Sequence, residues 1–124
     1  MEDRFKVRGW SIYDGGYYDD VQDMLFGEED NMTLLDAISK GLVSEIIPEQ
    51  CTGLKDKNGK LIYEGDLLKS IYTKKTYVIV SEKHFACFSY KYKSVGTTLS
   101  EGDIANYELE VVGNIHETPE LLEG

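Results

Sequence analysis

"CTGLKDKNGKLIYEGDLL", Cys51 to Leu68, is the stretch whose reading decides the fold. It packs two turn signals and two short apolar runs together. Asn58-Gly59 is the strongest short-range hairpin signal, because a type I′ turn needs φ > 0 at both central residues. Ile62 and Tyr63 return from that turn. Glu64-Gly65-Asp66 then turns the chain again into Leu67 and Leu68. Strands this short, joined this tightly, pair antiparallel. The glycines are explained by turn chemistry. A phosphate loop ends in Gly-Lys-Ser/Thr at a helix N-terminus, whereas Gly59-Lys60 is followed by Leu61 on a hairpin.

Working outward, "RFKVRGWSIYDGGYY" reads as a second hairpin. Phe5 and Val7 alternate with Lys6 and Arg8, the period of a half-buried strand. Trp10 and Ile12 continue in a shifted phase, which predicts a bulge at Gly9. Asp14-Gly15-Gly16 supplies the turn and Tyr17 starts the return. "DNMTLLDAISKGL" carries the best helix. Asn31 or Thr33 caps it, Asp36 faces the dipole, Leu34, Leu35 and Ile38 form a stripe, and Gly41 is placed for a left-handed C-cap.

"TYVIVSE" and "FACFSYKY" read as strands, "SVGTTLSEGDIANY" as a loop, and "YELEVVGNI" as a strand with Leu109, Val111 and Ile115 towards the core. In "TPELLEG", Thr118 caps a helical turn opened by Pro119. The echo between "EGDLL" and "EGDIA" predicts the same turn chemistry used twice. The expected fold is therefore one domain, residues 1–124, mainly β with a minor α component. It is an antiparallel barrel-like or sandwich fold of about seven strands, with a short helix near 33–40 and a C-terminal helical turn.

Composition agrees. A chain of 124 residues with 41% hydrophobic residues, nine Tyr and two Pro leans towards strands and needs no metal or disulfide to fold. No apolar run has the length of a membrane span, and the first residues lack an apolar signal core, so a cytoplasmic chain is expected. Cys51 and Cys87 then read as free thiols. Net charge is −10, unevenly placed: residues 1–50 hold 4 Lys/Arg against 12 Asp/Glu, residues 51–99 hold 9 against 4, and residues 100–124 hold 0 against 7. The acidic whole repels nucleic acid, while the basic middle forms a local patch if the fold gathers it on one face.

Catalytic constellations are weak. Glu64 and Asp66 share a turn with no sign of the pKa-raising pocket that acid–base work requires, and Asp66 is better read as an acceptor for turn backbone. His84 and Cys87 are close in sequence, but a zinc site would need Cys51 and His116 as well, without supporting spacing. No nucleophile elbow marks either cysteine. The acidic run holding Asp19, Asp20, Asp23, Glu28, Glu29 and Asp30 lacks calcium-loop spacing. It reads as a solvated, partly docked segment or an acidic surface for a basic partner. Lysines and aromatics interleave from 55 to 93. Lys69, Lys74, Lys75, Lys91 and Lys93 are the candidate contacts for nucleic acid, since Lys follows phosphate and rings stack on bases. Amphipathic strands give the same alternation for free, and this segment holds no Arg.

At "QCTGLKDKNGKLIYEGDLL" the chain resembles the YopX family of small phage and prophage proteins. "FKVRGWSIYDGGYY" and "ELEVVGNIHETPELLEG" carry the same resemblance. It implies a β-rich, barrel-like protein of phage origin in a bacterial cytoplasm, with no catalytic residues and no cofactor to carry over. The leading expectation is a non-enzymatic module that binds a protein. A nucleic-acid-binding barrel using the strands of 55–93 is the alternative. A third reading, an acidic nucleic-acid mimic, needs Asp19–Asp30 and Glu101–Glu123 on one face. Exposed strand edges leave a homo-oligomer open.

Overall fold

The computed structural model describes residues 5–25, 32–82 and 87–123, in two compact units that meet along the chain at Cys51 and Thr52.

In the first unit, β1 (Val7–Ser11) pairs antiparallel with β2 (Gly16–Tyr18) on one side. On the other it pairs with the opening half of β3 (Ile46–Lys55). The β1–β2 turn is closed by Gly15, whose positive φ of 68° suits it and whose N–H donates to the Ser11 carbonyl. Between β2 and β3 along the chain, α1 (Leu34–Ser39) is held by a reciprocal cap: Asp36 N–H donates to Thr33 Oγ1 and Thr33 N–H donates to Asp36 Oδ2. Gly41, at φ 76°, ends it as expected. Leu34 and Ala37 bury against Val21, Val43 and Ile46. Val21 is fully buried while Asp19, Asp20 and Asp23 are exposed, so the described part of the acidic run is a docked loop.

Two expectations fail here. Gly9 lies in unbroken register with Tyr18 and Pro48, so it is not a bulge. A Cβ there would stand 2.5 Å from Ile46 Cγ2, and close approach is what requires glycine. Nor does Arg8 face solvent, as the alternation predicts. It is buried opposite Glu49, its Nε 2.9 Å from Glu49 Oε1 and its guanidinium 4.1 Å from the Tyr17 ring centre. Phe5 and Ile12, expected inside, are exposed. A buried cation is tolerable only when paired, and strand β3 supplies the pair.

In the second unit β4 (Leu61–Tyr63) follows the hairpin. Asp56, not Asn58, organises that turn. Its carboxylate accepts the N–H groups of Asn58 and Lys60, both at 2.9 Å, and Gly59 alone takes positive φ. The type I′ expectation is therefore wrong. A side-chain acceptor stabilises a turn with one left-handed residue instead of two. Asp66 accepts the Tyr63 N–H at 2.8 Å, as expected of it.

From there β5 (Asp66–Lys69), β6 (Thr76–Glu82), β7 (Cys87–Tyr92), β8 (Val95–Thr98) and β9 (Glu110–Asn114) form an antiparallel sheet in the order β8-β7-β6-β5-β9. One face carries Leu68, Ile79 and Tyr90, which bury with Ile62, Leu99, Ile104 and Leu109. Val111 packs against that cluster; Ile115, expected on the core face, lies beyond the strand and is exposed.

The stretch expected as a loop before β9 holds both β8 and α2 (Glu101–Tyr107). Ser100 caps α2 by accepting the Asp103 N–H, and Ile104 anchors it. The "EGD" echo is thus neither a repeat nor one turn used twice. Gly65 turns at φ 88° before a strand, whereas Gly102 sits in a helix. A 3-10 turn, Pro119–Glu123, closes the chain. The mainly β, antiparallel class, the helix after Thr33 and the C-terminal turn all stand as read from sequence, with nine strands among the described residues.

Candidate functional site

The site grows out of two tight turns at one end of the five-stranded sheet. Between β5 and β6, buried Ser70 orders the chain. Its Oγ donates to the Tyr107 carbonyl at 2.9 Å and accepts the N–H groups of Tyr72 and Thr73. Lys74 follows in the left-handed region at φ 59°. Between β7 and β8 only Lys93 and Ser94 intervene, and Lys93 is left-handed at φ 56°. Lysine is an expensive choice at such positions, where Gly or Asn costs less.

On the sheet face away from the core, Lys69 stands opposite Thr76, and Lys91 opposite Val78. These residues and the two turns wall a groove of about 430 Å3. All five lysines singled out from the sequence, Lys69, Lys74, Lys75, Lys91 and Lys93, line it. Its apolar part is Val78, Leu121 and Leu122, the last two brought by the C-terminal turn. Lys91 Nζ lies 3.5 Å from Glu82 Oε1, so one cation of the five is partly neutralised. Glu120 contributes the single acidic residue of the lining. Tyr92 stands between two cations, with Lys75 Nζ 4.8 Å and Lys93 Nζ 5.3 Å from its ring centre. Those contacts orient the ammonium groups without neutralising them.

A second cleft of about 470 Å3 adjoins it, sharing Lys75, Tyr92 and Lys93. Its walls are tyrosines. Tyr77 packs edge-on against Tyr90 and Tyr92 at 5.1 and 6.2 Å between centres. Tyr90 Oη donates to Asp103 Oδ2 at 2.6 Å. Burial, then that hydrogen bond to a carboxylate, pushes the Tyr90 phenol well above its ordinary range. At neutral pH Tyr90 keeps its proton, directed at Asp103.

Asp19, Asp20 and Asp23 are exposed on the first unit; Glu28, Glu29 and Asp30 lie outside the described residues, as does His84. Cys51 and Cys87 are not joined in a disulfide, and Cys51 is buried. Among the described residues no three His, Cys, Asp or Glu side chains gather as a metal site would require. No helix of the described residues is long and apolar enough to cross a membrane. Leu121 and Leu122 were not foreseen as site residues, and Tyr92 was foreseen only as one of the aromatics interleaved with the lysines. "TPELLEG" signals a helical turn, but nothing in it says which strand that turn covers.

Comparison with known proteins agrees with this architecture. A family model described as YopX protein matches residues 6–123. Protein EF1440 from Enterococcus faecalis, known from a crystal structure, is similar in fold. The TM-score is 0.66 at 22% sequence identity, over 94% of this chain and 96% of that one. None of the curated proteins matches.

Proposed function

The chain belongs to the YopX family, and for this member we propose a non-enzymatic binding module whose partner is a protein, held through an acidic segment laid in the lysine groove. The observation that carries the reading is the meeting of five lysines with Val78, Leu121 and Leu122 in one groove on a chain of net charge −10. Apolar floor and cationic rim together suit a segment that alternates acidic and apolar side chains. The described lining of the groove holds no Cys or His and a single carboxylate, Glu120. The family resemblance supports a phage or prophage origin and action in a bacterial cytoplasm.

The tyrosine cleft favours a second reading, single-stranded nucleic acid with phosphates on the lysines and a base beside Tyr92. The two separate in one experiment. The tagged protein and its Lys74→Glu/Lys75→Glu variant are used to capture partners from bacterial lysate, with and without nuclease. A protein that survives nuclease and is lost with the variant supports the first reading. Capture abolished by nuclease moves the assignment to nucleic acid. Capture equal for both proteins removes the groove from either.

A further inference from the structure

We propose that the chain pairs with a second copy of itself along the free edge of β8, antiparallel, with Lys93 of each copy facing Glu101 of the other. As the end strand of its sheet, β8 has a strand neighbour on one side only among the described residues. All four of its residues, Val95, Gly96, Thr97 and Thr98, are exposed, Val95 at 73%. Natural edges are usually blunted by proline, a charge or a bulge, and β8 contains none of these.

The backbone phase fits. Leu99 N–H donates inward to the Phe88 carbonyl at 2.8 Å. By the alternation of an antiparallel ladder, Thr97 and Val95 also turn inward, and Gly96 and Thr98 turn their N–H and C=O groups outward. A twofold axis at Thr97 sets Gly96 of each copy opposite Thr98 of the other, so both outward pairs are satisfied.

Charge selects the occupant. The strand begins beside Lys93 and runs into Glu101 and Asp103 at the start of α2. A strand with a basic start and an acidic end attracts itself when antiparallel and repels itself when parallel. Beyond the strand ends, the Thr97-centred register brings the β7–β8 turn that holds Lys93 towards the start of α2 that holds Glu101 in the other copy, twice by symmetry. This pairing needs no occupant in the lysine groove. With only four residues of edge it is a weak dimer.

Sedimentation equilibrium of the full chain, up to about 1 mM, tests it. The expected result is reversible association from 14.1 kDa towards twice that mass. Lys93→Glu and Glu101→Lys each act at both symmetric contacts, so each raises the dissociation constant about tenfold. The two reversals combined restore the wild-type value. A monomer at every concentration overturns the proposal. So does a dimer indifferent to both single reversals, or a double variant that stays as weak as the singles.

Discussion

Asp56 Oδ2 accepts the backbone N–H of Val111 at 2.9 Å, across 55 positions of chain. Its other oxygen accepts Asn58 and Lys60. One buried carboxylate thus ties the first hairpin of the second unit to its last strand, beside the Lys57 N–H that donates to the Leu109 carbonyl. Removing it leaves three backbone donors without their acceptor. Asp56→Ala is expected to cost about 2–4 kcal/mol in urea unfolding, and Asp56→Asn about 1–2, since an amide oxygen still serves the turn while its NH2 opposes Val111. A loss below about 0.5 kcal/mol for Asp56→Ala would show that β9 is held by other means.

Two glycines are fixed by space. A Cβ at Gly9 would meet Ile46 Cγ2, and one at Gly113 would overlap Thr118 Oγ1. Ile46 Cγ2 is attached to a branched Cβ and has no room to swing away. Thr118 Oγ1 is bonded to both the N–H and the C=O of Asn114. Gly9→Ala and Gly113→Ala should each cost about 1–3 kcal/mol. The cost of Gly9→Ala should shrink in an Ile46→Ala background, which a double-mutant cycle reads directly. Equal cost in both backgrounds would place the strain elsewhere.

What the sequence disclosed follows from how local each cause is. The Thr33–Asp36 cap, the left-handed Gly41 and the turn at Gly59 are settled within a few residues, and all were legible. The candidate lysines were legible as a list, because alternation marks Lys69 and Lys91 on strands and Lys74, Lys75 and Lys93 fall in polar connections between them. Their convergence was not, because two turns and the C-terminal segment must meet to build the groove. The helix α2 was missed because Gly102 and a length of seven residues hide it; Ser100 and Ile104 were the only cues. Arg8 was misplaced because its partner Glu49 lies on another strand, 41 positions away.

Alkaline pH offers a separate check. The Tyr90 phenol is raised by burial and by Asp103. The unfolded chain releases that proton first, near pH 10. Stability from this group is therefore full below about pH 10 and falls as pH climbs towards the folded value. Tyr18 and Tyr72, raised by hydrogen bonds to Asp14 and Glu108, act in the same direction at the surface. Urea unfolding between pH 8 and 11 should show a shallower alkaline decline for Tyr90→Phe than for the wild type. Identical declines would remove Tyr90 as the cause.

Lys74 and Lys93 hold left-handed backbone that glycine adopts without strain. Lys74→Gly and Lys93→Gly are expected to raise stability by about 0.5–1 kcal/mol while weakening the partner's hold on the groove. Higher stability with unchanged binding would make both lysines incidental to the site.

The central claim is that the lysine groove is the binding face, and fluorescence anisotropy of a labelled peptide alternating Glu and Leu tests it most directly. Wild-type protein should bind saturably, more weakly as salt rises. Lys74→Glu/Lys75→Glu should weaken binding about tenfold or more, with its unfolding midpoint unchanged. Equal affinity for the two proteins, or no binding by the wild type, would contradict the account.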